Sequence, residues 1–285
     1  MDEPVCSIPD PLAFWGKYNE QATPCAHPLT DHCLDVATVF RRLVGLPRIR
    51  EALQRTTRSS LLTDRQLNRL TAIAYLHDLG KCNWGFQAKR DAAARETAGH
   101  VLEAVTLLRD DALFERWPDS WRQMLTRMAS WFEHSDAELL EVLLAAVSHH
   151  GRPVSDSDYA HWSDRNPARW WMPRHGVDPM LGLAELADAV QVAFPDAFVD
   201  DGATLEATPA LQQRFAGLVM LADWIGSDTR FFAYRQSRDE ARQALAKQAA
   251  AHALRTIGLD GPHDRQARHF TQVFGFDPSP LQGNR

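Results

Sequence analysis

The sequence lacks most features that would assign a chain of 285 residues at sight. It has no run of about 18 apolar residues, so no membrane-spanning helix is expected. Its acidic, proline-bearing N-terminus has no apolar stretch of the secretory kind. Cysteine is confined to Cys6, Cys25, Cys33 and Cys82, with no CxxC pair. Those positions neither staple a fold of this length nor suggest a zinc finger, and a reducing, cytoplasmic setting is the expectation. With 37 acidic against 31 basic residues and a net charge of -6, a bulk basic footprint for duplex DNA is missing. Lysine occurs only at Lys17, Lys81, Lys89 and Lys247, and arginine supplies nearly all the positive charge. There is no GxxxxGK phosphate loop, no DExD/H box, no internal repeat and no convincing alternation of β-branched residues.

What is present is ordinary globular chemistry, 45% hydrophobic and 24% charged, which excludes a disordered chain. The length fits two domains or one large helical domain. Twelve histidines and nine tryptophans are the unusual counts.

The apolar spacing predicts helices. The segment to about Pro28 reads as irregular. The stretch from Leu29 carries Cys33, Val36, Phe40 and Leu43 at helical spacing, stopped by Gly45 and Pro47. A second helix begins at Thr63 as N-cap, with Gln66 as its capping-box partner, and ends near Gly80. Residues 82–98 read as a loop with a short helix. Further helices are expected over Gly99–Arg109, Trp121–Phe132, Glu138–Ser148, Pro179–Ala193, Pro209–Thr229 and residues 236–257. Residues 151–178, long for a connection, read as a functional loop or lid. The fold expected is all-α, a domain of about seven to ten helices.

Several polar residues sit at apolar helix edges. His77 and Asp78 fall near a helix C-terminus, where both side chains can turn toward one ion. His32 borders the apolar stripe of its helix, and His100 begins one. His149 and His150 end the most apolar helix, and Asp223 interrupts the core-like run FAGLVMLADWIGS. A carboxylate in such a run should be paired or metal-bound. Imidazole with carboxylate suits first-row divalent ions.

Taken in order, HPLTDHCLDVA at 27–37, HDLGKCNWGFQ at 77–87, GH at 99–100, HHG at 149–151 and LADWIGSD at 221–228 resemble a known pattern. They resemble the HD superfamily of metal-dependent phosphohydrolases, and more closely the HD-nuclease domain of the CRISPR-associated nuclease-helicase of type I systems. The resemblance implies an all-α HD domain over residues 1–272. It implies two divalent transition-metal ions, Fe, Mn, Co or Ni. His32, His77, Asp78 and Asp223 would hold the first; His100, His149 and His150 the second, with Asp78 bridging. It places Lys81 near the scissile phosphate and Ser227 close to it, so Asp78, Lys81 and Ser227 are the expected catalytic residues.

The implied reaction is hydrolysis of single-stranded DNA phosphodiesters in CRISPR interference. The implied partners are single-stranded DNA, a helicase module in cis or trans, and the CRISPR surveillance complex. Trp84 and Phe86, with Trp162, Trp170 and Trp171 interleaved by Arg165, Arg169 and Arg174, are the expected strand-binding residues. Residues 273–285, containing FGFDPSPLQ, resemble the entry into the helicase module. An HD phosphohydrolase acting on nucleotides and a non-catalytic docking module are the alternatives.

Overall fold

The helix that carries His32 runs through the core. It spans Leu29–Gly45 (α1) and is buried along nearly all its length, with α3 (Asp64–Tyr75) on one side and α11 (Pro209–Gly226) on another. The coordinates are a computed structural model and describe residues 14–19, 25–57, 62–151, 154, 156–163, 165–234 and 242–260. Local chemistry starts these helices where the sequence places their signals. Thr63 and Gln66 form the reciprocal capping box of α3. Thr208 caps α11 ahead of Pro209, and Asp178 caps α10 (Pro179–Ala193) ahead of Pro179.

The remaining helices complete an α-helical domain. They are α2 (Pro47–Gln54), α4 (Trp84–Gln87), α5 (Val101–Arg109), α6 (Asp111–Phe114), α7 (Asp119–Ala129), α8 (Ser135–Val147), α9 (Asp156–Ser163) and α12 (Arg242–Thr256). Short 3-10 turns at Leu76–Cys82, Ala88–Arg90, Pro167–Trp171 and Pro195–Phe198 link them. The all-α expectation holds.

Four local expectations are corrected. Residues near the N-terminus are not all irregular: β1 (Trp15–Asn19) and β2 (Cys25–Pro28) pair antiparallel, with a bulge between Trp15 and Lys17. Pro47 does not merely end α1; it opens α2, because its fixed φ suits a first helical turn. The 151–178 stretch is not plain loop, since it holds α9 and a 3-10 turn. The helix expected over Pro209–Thr229 stops at Gly226, where Ser227 caps its last turn.

Chain contacts divide the protein into two units, Met1–Ala253 and Leu254–Arg285. The first carries His32, His77, Asp78, His100, His149, His150 and Asp223. The expected boundary at 272/273 and the FGFDPSPLQ segment lie outside the described residues. No described helix is long and apolar enough to cross a membrane.

Candidate metal centre

The centre is built where α3 gives way to a 3-10 turn. Asp78 leaves helical geometry there (φ -106°, ψ 18°), which swings His77 and Asp78 onto one side of the chain. Gly80 makes the next approach possible. A Cβ at that position would collide with the backbone carbonyl of His100, so only glycine lets the start of α5 close on the turn. α1 brings His32, the C-terminal end of α8 brings His149 and His150, and α11 brings Asp223. Five elements distant in sequence thus converge on one carboxylate.

Asp78 has two distinct faces. Its Oδ2 lies 2.9 Å from His32 Nε2 and 3.2 Å from His77 Nε2. Asp223 Oδ1 closes this group, 3.5 Å from His32 Nε2 and 3.8 Å from His77 Nε2. The Asp78 Oδ1 looks the other way, 3.3 Å from His100 Nε2 and 3.6 Å from His149 Nε2. His150 Nε2 joins that side 2.8 Å from His100 Nε2. The ligand atoms therefore form a buried quartet (His32, His77, Asp78, Asp223) and a more open trio (His100, His149, His150).

Both groups fit divalent ions. Ligands about 2.0–2.2 Å from a tetrahedral ion stand about 3.4 Å apart, the middle of the quartet's spacings. His77 Nε2 and Asp78 Oδ1 are buried without a hydrogen-bond partner among the described residues. Buried polar atoms left this way are costly unless something absent from the polypeptide satisfies them. The outer shell agrees. His77 Nδ1 donates to the Ala74 carbonyl at 3.1 Å and His149 Nδ1 to the Ala146 carbonyl at 3.0 Å, which aims each Nε2 inward as a ligand. Ser227 Oγ donates to Asp223 Oδ1 at 2.8 Å.

The charges are matched to carboxylates that stay ionised. Burial alone would raise the pKa of Asp78, but Lys81 and His77 outweigh it and hold the acid well below its usual range. Asp223 is likewise lowered, through His77, against its burial. Burial pulls His77 down, yet Asp78 and Asp223 lift it to about 9. Burial wins at His100 and His149, which fall to about 3 and about 4. His100 and His149 are therefore neutral and ready to ligate, while His77 carries a proton until an ion displaces it.

The structure brings together all seven side chains expected as ligands and sets Ser227 against Asp223. Lys81 is also present, but its ammonium is buried, 2.6 Å from Asp78 Oδ2 and donating to the Gly16 carbonyl at 2.9 Å. The strand-binding expectation is corrected. Trp84, Trp170 and Trp171 are core residues. Their indole N–H groups donate to the Arg169 carbonyl from Trp84 and to the Glu103 carbonyl from Trp171. Trp84 and Trp170 pack together at 4.6 Å, with the Arg174 and Arg169 guanidinium groups over their rings. Half-buried Trp162 donates to Thr106, and Phe86 is buried against Trp15 and Ala26. Arg165, Arg169 and Arg174 remain exposed. Among the nine tryptophans only Trp224 is exposed, at 68%. It lies on α11 beside Asp223, and sequence reasoning passed over it because it sits inside an apolar run. Lys17 was missed for a different reason, since β1 carries too few residues to show a period.

The profile of the family described as "Cas3, HD domain" matches residues 15–232. The chain is 26% identical over 280 residues to the CRISPR-associated endonuclease/helicase Cas3 of Thermus thermophilus, covering 94% of this chain and 28% of that protein. Among solved structures, the Thermus thermophilus cas3 HD domain crystallised in the presence of Ni2+ aligns with a TM-score of 0.54. It is 24% identical and covers 81% of this chain and 85% of that one. A chain of a CRISPR RNA-guided surveillance complex in a pre-nicking state aligns with a TM-score of 0.51 at 19% identity, covering 86% of this chain and 28% of that one. The two structural likenesses bear on the fold alone.

Proposed function

The chain belongs to the Cas3 HD-domain family, and from that premise we propose that it is a metal-dependent nuclease that hydrolyses single-stranded DNA in CRISPR interference. The observation that carries the reading is the two-faced Asp78, with one oxygen turned to the quartet and the other to the trio. Two divalent ions held there would activate water and clamp the phosphodiester oxygens. His32, His77, Asp78 and Asp223 would hold one, and His100, His149 and His150 the other, with Asp78 shared.

The chain's own residues prepare that chemistry. The carbonyls of Ala74 and Ala146 fix the tautomers of His77 and His149. Lys81 neutralises Asp78 and ties it to the β1 bulge through Gly16. Ser227 fixes the rotamer of Asp223. Around the ligands, two carboxylates face two ammonium groups, Lys81 and Lys17. Each divalent ion then adds an uncompensated charge of +2, so the loaded centre attracts a phosphodiester although the whole chain is acidic.

The strand reading rests on exposed residues: the Trp224 ring offers a stacking face, and Arg165, Arg169 and Arg174 offer guanidinium groups. The proposed partners are a helicase module and the surveillance complex, and the proposed location is the cytoplasm, where Cys33 and Cys82 stay free and buried. The chain spans 28% of the length of its curated relative.

The test strips the protein of metal and restores Mn, Fe, Co or Ni separately. Cleavage of circular single-stranded DNA is followed beside linear duplex, with Asp78→Ala as control. Metal-dependent cutting of the circle, lost in D78A, supports the reading. No cutting with any ion moves the assignment to nucleotide hydrolysis or docking.

A further inference from the structure

Lysine is the scarce cation of this chain, yet two of its lysines meet at the metal centre. Their situations differ. The Lys81 side chain is 6% exposed, with its ammonium against Asp78 and the Gly16 carbonyl. A cation so committed holds the carboxylate in place and presents little charge outward. Lys17 is the residue after Gly16, on β1, and its side chain is 28% exposed. Its Nζ stands 3.9 Å from Asp223 Oδ1, too far for a direct hydrogen bond. It is thus held at the rim of the quartet without being consumed by it.

The hairpin is built to place this residue. β1 bulges between Trp15 and Lys17, and a Cβ on Gly16 would lie 2.8 Å from His32 Cβ. The missing side chain lets β1 lie directly on α1, next to a metal ligand. The Lys81 ammonium then pins the Gly16 carbonyl, fixing the backbone one residue before Lys17. The rim position of Lys17 is therefore set by the same contacts that assemble the centre.

We infer that Lys17 is a phosphate-binding residue of the nuclease site, its ammonium taking a non-bridging oxygen of the DNA backbone on the Asp223 side of the centre, while Lys81 serves to hold Asp78. This rests on the nuclease reading above. A point-charge ammonium on a flexible stem suits a backbone contact that carries no sequence information.

The experiment compares the parent with Lys17→Ala and Lys17→Arg. Three quantities are read: KM for circular single-stranded DNA, the salt dependence of labelled oligothymidine binding in EDTA, and bound metal per chain. Loss of a charge-assisted contact should raise KM about tenfold or more in K17A. The slope of log affinity against log salt should fall by about 0.7, one phosphate contact on a single strand. Metal content should match the parent, and K17R should recover most of both losses. Parent-like KM and slope in K17A would overturn the inference. So would loss of bound metal, which would make Lys17 a support for Asp223 alone. A parent that cuts with no ion defeats the nuclease reading instead, and the salt slope still decides whether Lys17 binds phosphate.

Discussion

At the scale of single residues, Asp78 does the most. Its replacement takes away the carboxylate that lies between the quartet and the trio and leaves the buried Lys81 without its counter-charge. Asp78→Ala should lower kcat by about 10³-fold or more, beyond the loss of one oxyanion-stabilising donor, while far-UV circular dichroism stays helical. Parent-like cleavage by D78A would remove Asp78 from the reaction. His77 sets the pH behaviour. Its pKa rises from 6.5 to about 9, so the folded metal-free protein holds a proton that the unfolded chain releases. That stabilisation is complete below 6.5 and is lost as pH climbs through about 9. His100 and His149 behave oppositely, with folded values near 3 and 4, and their contribution is lost as pH falls below 6.5. Calorimetry in EDTA should therefore show Tm highest near neutrality and lower on both sides. Metal entry into the quartet must displace the His77 proton, so titration calorimetry in buffers of different ionisation enthalpy should show about one proton released per quartet ion at pH 7. Proton-neutral binding would contradict the charge assignment of His77.

At the scale of elements, the turn after α3 and the 165–177 segment carry distinct expectations. Gly80→Ala should cost at least about 1–3 kcal/mol, the range of overpacking, because the clash is with backbone that cannot rotate away. The same variant should lose metal from the trio first, since His100 is what the new methyl displaces. Trp170→Ala should destabilise the fold by about 3–5 kcal/mol and leave strand affinity unchanged once folded. Trp224→Ala should do the reverse, weakening strand binding by about 1–3 kcal/mol with Tm unchanged. Chemical denaturation and fluorescence anisotropy separate the two, and parent-like strand affinity in W224A would remove the stacking face.

These elements also show what a sequence can reveal. α1, α3, α8, α10 and α11 were legible because each buries a stripe long enough to fix its period, and because Thr63, Pro179 and Pro209 mark their starts. The clustered histidines and aspartates were legible because charged or imidazole groups at apolar helix edges demand partners. The hairpin was not, since its strands of five and four residues are too short for a pattern. The tryptophans misled because Trp and Arg interleave in the same way in a strand-binding loop and in a segment whose indoles are buried under guanidinium groups.

At the scale of the whole molecule, an acidic chain concentrates two lysines and seven side chains able to hold metal ions in one place. On the proposed reading the field that attracts DNA is local and strengthened by metal, which favours a flexible single strand over a rigid duplex with its larger footprint. Circular single strands should be cut at least about tenfold faster than linear duplex at moderate salt, and equal rates would contradict a centre of this shape. The account stands on one claim, that Asp78 is shared between two ions. The direct measurement is ion stoichiometry, by elemental analysis after reconstitution and gel filtration, for the parent, Asp223→Ala and Asp78→Ala. The account predicts two ions per chain in the parent, about one in D223A and fewer than one in D78A. A parent saturating at one ion, or a D78A protein retaining two, would contradict it.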